Sequence, residues 1–190
     1  MLKDLLQLPK DLPVPVDDGA CNHLPGLLMP SIPLRSTSGR TIDLSKIKGT
    51  LVLYFYPMNG HPDSPPMIGW NDIPGARGCT PQACAFTDAH TELTHLGVTV
   101  MGISSQPLKD QQEARTRLAL PFDLLNDHNL KLAGTLRLPT FEYASTVYIK
   151  RITLIVEDCV IRKVFYPVFP PDRNALDVLE WLKARSTSSA

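Results

Sequence analysis

The chain predicts an α/β sandwich built around a mixed β-sheet, and three observations carry that expectation. Residues 51–56 form an unbroken apolar run closed by Pro57, which has the character of a strand buried on both faces, as in parallel sheets. Further strand-like runs follow at 98–103, 151–156 and 160–166. Segments of helical period separate several of them, and strands alternating with helices favour helix layers packed on a sheet. At 190 residues the chain suits one domain with room for a hydrophobic core.

Taken in order, residues 1–30 show no steady period and read as an N-terminal arm, in which Leu2, Leu5 and Leu6 suit one short amphipathic turn before the prolines. Residues 32–44 alternate about Ser38-Gly39, which predicts a hairpin. After the 51–56 strand, residues 58–78 are rich in Asn, Gly, Pro, Asp and Ser and include Trp70. They form a long loop, and long loops in compact domains are often functional. Thr80-Pro81 makes a good N-cap and first helical residue. From there Ala83, Phe86, Leu93 and Leu96 trace a helical face that stops at Gly97. The strand at 98–103 leads to a second helix within 104–120 and a short third over 130–136. The strands at 151–156 and 160–166 are joined by a tight turn at Glu157-Asp158-Cys159. Residues 172–185, with Leu176, Leu179, Trp181 and Leu182, form a C-terminal amphipathic helix, and 186–190 a frayed tail. No repeat or linker divides residues 31–185, which read as a single domain.

Composition narrows the function. Apolar residues make up 43% and charged residues 20%, as in ordinary globular proteins. Nineteen basic residues balance nineteen acidic ones, so nothing favours nucleic acid, an anionic membrane surface or a polyanionic substrate. No segment approaches the ~18–20 apolar residues of a membrane span. Asp4 and Pro9 interrupt the opening stretch where a signal peptide needs a continuous apolar run. The expectation is a cytoplasmic protein with reduced thiols. Four cysteines are too few for a disulfide scaffold. In that compartment a close pair points to catalysis, redox sensing or metal binding.

The close pair is Cys79 and Cys84, in Gly78-Cys79-Thr80-Pro81-Gln82-Ala83-Cys84. A cysteine reacts as its thiolate, which a helix N-terminus and nearby Arg or Lys favour. Cys79 has both within reach: it opens the helical segment, Arg77 lies two residues upstream, and Arg151 is placed to approach from the other half of the sheet. Cys84 lies more than a turn inside, so Cys79 is the better nucleophile and Cys84 the better second thiol. In a regular helix, five residues give roughly 7.5 Å of rise and about 140° of rotation, placing the Cα atoms roughly 8.6 Å apart. A disulfide tolerates at most about 7 Å, so bonding the pair requires the first turn to unwind. Two plainer readings stand beside this one. Both residues suit small buried apolar positions. A metal site needs more partners at shorter spacings, and His23, His61, His90, His95 and His128 are scattered. Cys21 and Cys159 are isolated.

Tyr54-Phe55-Tyr56-Pro57 followed by Gly78-Cys79-Thr80-Pro81-Gln82-Ala83-Cys84-Ala85-Phe86 resembles the bacterioferritin-comigratory, or Q-type, peroxiredoxins. Residues 120–127 (LPFDLLND) and the Arg151-Ile152-Thr153-Leu154 strand continue the likeness, which runs through roughly residues 30–185. The resemblance implies a thioredoxin-like fold and reduction of hydrogen peroxide or organic hydroperoxides without a cofactor. It also implies a thioredoxin-type dithiol as reductant, and often a monomer. By position, Cys79 matches the peroxidatic cysteine and Cys84 the resolving one. Arg151 matches the arginine that stabilises thiolate and peroxide, and Gln82 the residue that orients it. The family pattern Pro-x-x-x-Thr-x-x-Cys is broken here: Ala76 stands three residues before Cys79, Asp72 seven before, and the 58–78 loop is longer than usual. That departure leaves open a second function, a thioredoxin-fold redox sensor or binding module with weak peroxidase activity.

Overall fold

The computed structural model describes residues 5–64 and 67–188, so Leu2 of the expected opening turn lies outside it. Seven strands form one mixed sheet: β1 (Pro33–Ser36), β2 (Thr41–Asp43), β3 (Thr50–Phe55), β4 (Val98–Ser104), β5 (Leu124–Asn126), β8 (Ile152–Glu157) and β9 (Val160–Phe165). Their order is β2-β1-β5-β4-β3-β8-β9. β3, β4 and β5 run parallel at the centre, and the other pairings are antiparallel. The first hairpin is therefore present as the alternation predicts. A second, separate hairpin joins β6 (Thr140–Tyr143) and β7 (Thr146–Ile149).

β3 shows how a fully apolar strand builds two cores. Leu51, Leu53 and Phe55 face one side with Met101, Ile103, Leu125, Leu154 and Val156, covered by Leu24 and Met29 of the arm and by helix α4 (Lys131–Thr135). Val52, Tyr54 and Tyr56 face the other side with Val100, Leu124 and Ile155. That side is covered by α1 (Cys79–Asp88), α2 (His90–His95) and the C-terminal helix α5 (Asn174–Ser188). Each large side chain fully buried this way contributes ~1.5–3 kcal/mol. One close approach makes the second layer possible. A Cβ at Gly102 would sit 2.6 Å from Tyr54 Cζ, so only glycine lets the Tyr54 ring lie flat between β4 and Phe86, onto which it stacks at 4.8 Å.

Several boundaries differ from the sequence expectation. Thr80-Pro81 does not cap the first helix: Gly78 does, at φ +108°, and Thr80 and Pro81 are its second and third residues. Proline is tolerated there because the first four helical N–H groups have no intrahelical acceptor. The single helix expected from 80 to 97 is two, broken at Ala89. Strand β4 continues through Ser104, so the next helix, α3 (Leu108–Arg117), starts only after Pro107. Pro171–Arg173 form a 3-10 turn before α5, which continues to Ser188, past the Arg185 end expected for it. β5 and the β6–β7 hairpin escape the sequence reading. β5 is three residues long, too short to show a period, and the second hairpin turns on Ala144 and Ser145 at positive φ with neither glycine nor proline.

Candidate active site

The site lies where the C-terminal end of β3 meets the start of α1. Ile152 pairs with Phe55 across the sheet, which brings Arg151, the residue before β8, beside the N-terminus of the helix that Cys79 opens. Arg151 is buried at 3% exposure and is the hub of the arrangement. Its Nη2 donates to Cys79 Sγ at 3.2 Å and to the carbonyls of Gly75 (3.3 Å), Ala76 (3.2 Å) and Arg77 (3.2 Å). One guanidinium thus folds the segment before the cysteine around itself and holds the sulfur. The Cys79 thiol in turn donates weakly to the Ala76 carbonyl at 3.7 Å.

Behind Arg151 runs a buried chain of neutral polar groups. Arg151 Nη1 donates to Gln82 Oε1. Gln82 Nε2 donates to Asn174 Oδ1 at 3.0 Å, and the Thr153 hydroxyl donates to the same oxygen at 2.7 Å. Buried polar groups cost free energy unless paired, so each link constrains the next. Gln82 lies one turn after Cys79 on α1, Thr153 on β8 and Asn174 at the start of α5, so the chain ties three elements to the cationic hub.

Cys79 opens onto a cavity of about 790 Å³ whose wall includes Leu5, Met58, Asn59, His61, Trp70, Arg77, Thr80 and Gln106. Arg151 and Gln82 are not among the wall residues; Arg151 holds Cys79 from behind, and Gln82 holds Arg151. Another part of the wall is pinned through Gln106, whose carboxamide pairs with both backbone groups of Asn59, accepting from its N–H and donating to its C=O at 3.0 Å each. Trp70, in the long loop, is buried between the cavity and the second hairpin, 5.1 Å from the Tyr148 ring and 5.3 Å from Tyr143. The Tyr143 hydroxyl donates to the Ile68 carbonyl at 2.7 Å. The loop is thus fastened to the β6–β7 hairpin, and its aromatic residue faces the site.

The four cysteines are all free thiols. Cys84 is half-buried on α1, and burial, with the Asp88 carboxylate, pushes its thiol up. Cys21 is buried away from the site, and burial followed by Asp18 and Asp17 pushes its thiol up to about 12. Cys159 donates to the Ser45 and Ile47 carbonyls at 3.1 and 3.2 Å, a structural role. Among the described residues no three His, Cys, Asp or Glu side chains converge as a metal-holding group.

The chain matches the Redoxin family over residues 24–179, most of its length, including Cys79, Gln82, Arg151 and Asn174. The chain belongs to the Redoxin family. Among its relatives is the chloroplastic peroxiredoxin Q of Oryza sativa subsp. japonica, 29% identical over 160 residues. That match covers 84% of this chain and 66% of the rice protein's length. The solved peroxidoxin BcpB of Mycobacterium tuberculosis superposes with a TM-score of 0.70 at 24% identity, over 85% of this chain and 98% of that one. A Xanthomonas campestris peroxiredoxin Q superposes at 0.65 with 21% identity, over 92% and 98%. This redoxin therefore has the thioredoxin-like fold of the Q-type peroxiredoxins.

The structure brings Cys79, Arg151 and Gln82 together, and keeps Cys84 five residues along the same helix from Cys79. Asn174 escapes sequence reasoning because an isolated polar residue at a helix start carries no pattern; Thr153 stands in the 151–154 motif, but only the fold shows that the two meet. Ala76 is fully buried, its Cβ outside the cavity wall, while its carbonyl serves Arg151.

Proposed function

We propose that this redoxin is a thiol peroxidase. The observation that carries the reading is Arg151 Nη2 donating to Cys79 Sγ at a helix start that faces a cavity, with Cys84 five residues further along the same helix. The guanidinium and the helix N-terminus set positive charge against the sulfur. The thiolate attacks the outer oxygen of a hydroperoxide: the S–O bond forms, the O–O bond breaks, and the alkoxide or hydroxide leaves and takes up a proton. Sulfur is oxidised to sulfenic acid and the peroxide is reduced to alcohol or water. After the first turn of α1 unwinds, the Cys84 thiolate attacks the Cys79 sulfur, the S–S bond forms as the S–O bond breaks, and the hydroxide that leaves takes up a proton to become water. A thioredoxin-type dithiol restores both thiols by exchange. The proposal includes a monomer working in the reducing cytoplasm.

The test is hydroperoxide-dependent oxidation of thioredoxin by the purified protein. Turnover is expected to vanish in Cys79→Ser. Cys84→Ser is expected to form the sulfenic acid and then stall without an added thiol. Full turnover in Cys79→Ser would sink the assignment. One observation favours a second reading, a redox sensor or binding module: no side-chain hydroxyl stands at Ala76 to meet the peroxide. A Cys79–peroxide rate constant no higher than that of a free thiol would select the sensor.

A further inference from the structure

The turn of α1 that has to open before Cys84 can reach Cys79 is gripped from outside by the N-terminal arm. Leu5 packs against Gly60 and forms part of the cavity wall. Pro15 lies against Gly75. Leu8 closes on Gly78, the residue before Cys79: a Cβ at Gly78 would sit 2.9 Å from Leu8 Cδ2, and the Pro171 ring crowds the same point. The other end of the arm is fastened to the sheet edge. Met29 N–H donates to the Cys159 carbonyl at 2.7 Å, and Ile161 N–H to the Leu27 carbonyl at 2.9 Å. Midway, Asp18 accepts from the Tyr166 hydroxyl at 2.9 Å and from Lys150 Nζ at 3.2 Å. Pro9, Pro13 and Pro15 restrict the backbone between these ties and Leu8. A segment so anchored presses on Gly78 rather than drifting over it.

We propose that Leu8 is a positioning residue for Cys79: it holds Gly78, and so the first turn of α1, in the folded form that keeps the sulfur on Arg151. The inference rests on the peroxidase reading above and concerns the step that follows sulfenic acid formation. Unwinding the turn carries Gly78 out from between Leu8 and Pro171, so the Leu8 contact stabilises the closed form only. Local openings of this kind are governed by the contacts they break. The arm therefore slows disulfide closure while leaving the attack on peroxide unaffected. It also prolongs the sulfenic acid, which a second peroxide converts to sulfinic acid.

The test follows the full-length protein through one turnover with hydrogen peroxide, timing sulfenic acid formation and Cys79–Cys84 closure separately by quenched mass analysis. In Leu8→Ala, closure is expected to quicken about tenfold, with sulfenic acid formation within about twofold of the parent. The sulfinic fraction under excess peroxide is expected to fall. Leu8→Met should restore the parent rates. Leu6→Ala, at an exposed position (44% exposure), should change neither step. Closure unmoved in Leu8→Ala, with normal sulfenic acid formation, would overturn the role of Leu8 alone. Both steps slowing together with a lowered unfolding temperature would reduce Leu8 to ordinary packing and overturn it equally. A parent protein that reacts with peroxide no faster than a free thiol would remove the peroxidase reading itself, and the positioning role with it.

Discussion

Arg151 serves the Cys79 sulfur and the folding of the residues before it with one guanidinium group, so its replacement has two separable effects. Arg151→Met removes the donor to Cys79 and leaves the Gly75, Ala76 and Arg77 carbonyls without it. The peroxide rate constant of Cys79 is expected to fall roughly 100-fold, the scale of losing one aimed donor, measured by competition kinetics. Arg151→Lys keeps charge but not the planar fork, and should recover little of that rate. Asn174→Ala acts further back: it strips the acceptor shared by Gln82 and Thr153, leaving two buried donors unpaired. The expected loss is about 2 kcal/mol in urea unfolding, with a smaller decline in peroxide rate as Gln82 loosens against Arg151. Of these residues, Cys79, Gln82 and Arg151 are legible in the chain because they sit in recognisable motifs. Asn174 is not, since its role exists only once α5 is docked on α1.

At the scale of elements, the site depends on how closely layers approach. Gly102→Ala would drive a methyl into the Tyr54 ring and Leu124, and is expected to cost ~1–3 kcal/mol by overpacking, read as a lower denaturation midpoint. The central strands were predictable because β3 and β4 are long and apolar. The break of the first helical segment at Ala89 was not, because the apolar spacing from Ala83 to Leu96 continues across it and no glycine or proline marks it. The long loop was visible in composition, but its role was not. Trp70 takes its place from Phe141, Tyr143 and Tyr148, residues of a hairpin some seventy positions away that the sequence did not announce.

Over the whole molecule, carboxylates at the sheet's hairpin edge set the acid limit of the fold. Hydrogen bonds from Ser45 and Ser31 hold the Asp43 carboxyl down to about 2, from the usual 3.8. Burial pushes the Asp123 carboxyl up, but hydrogen bonds from Ser38 and Arg40 and the charge of Arg115 bring it below the usual carboxylate range. A depressed folded-state value means stability that is present above the unfolded value and lost as pH falls through the folded one. Stability is therefore expected to decline between about pH 4 and pH 2, measured by urea midpoints across that range. Asp123→Asn should flatten part of the decline while lowering stability at neutral pH, because Ser38 and Arg40 lose a charged acceptor.

The chain by itself determined the α/β alternation, the strands that carry the core, the close Cys79–Cys84 pair in a helical segment, and the motifs around it that resemble the Q-type peroxiredoxins. All of these are local, written in periodicity or in residues adjacent in sequence. The tertiary structure alone decided that Gly78 rather than Thr80 caps α1, that Arg151 reaches Cys79 while Asn174 secures Gln82, and that the N-terminal arm closes on Gly78 at the start of that helix. All but the cap join residues many tens of positions apart. What fixes them is the packing of α1, α5 and the arm against one sheet, a balance of buried surface and satisfied polar groups that no short stretch of sequence contains.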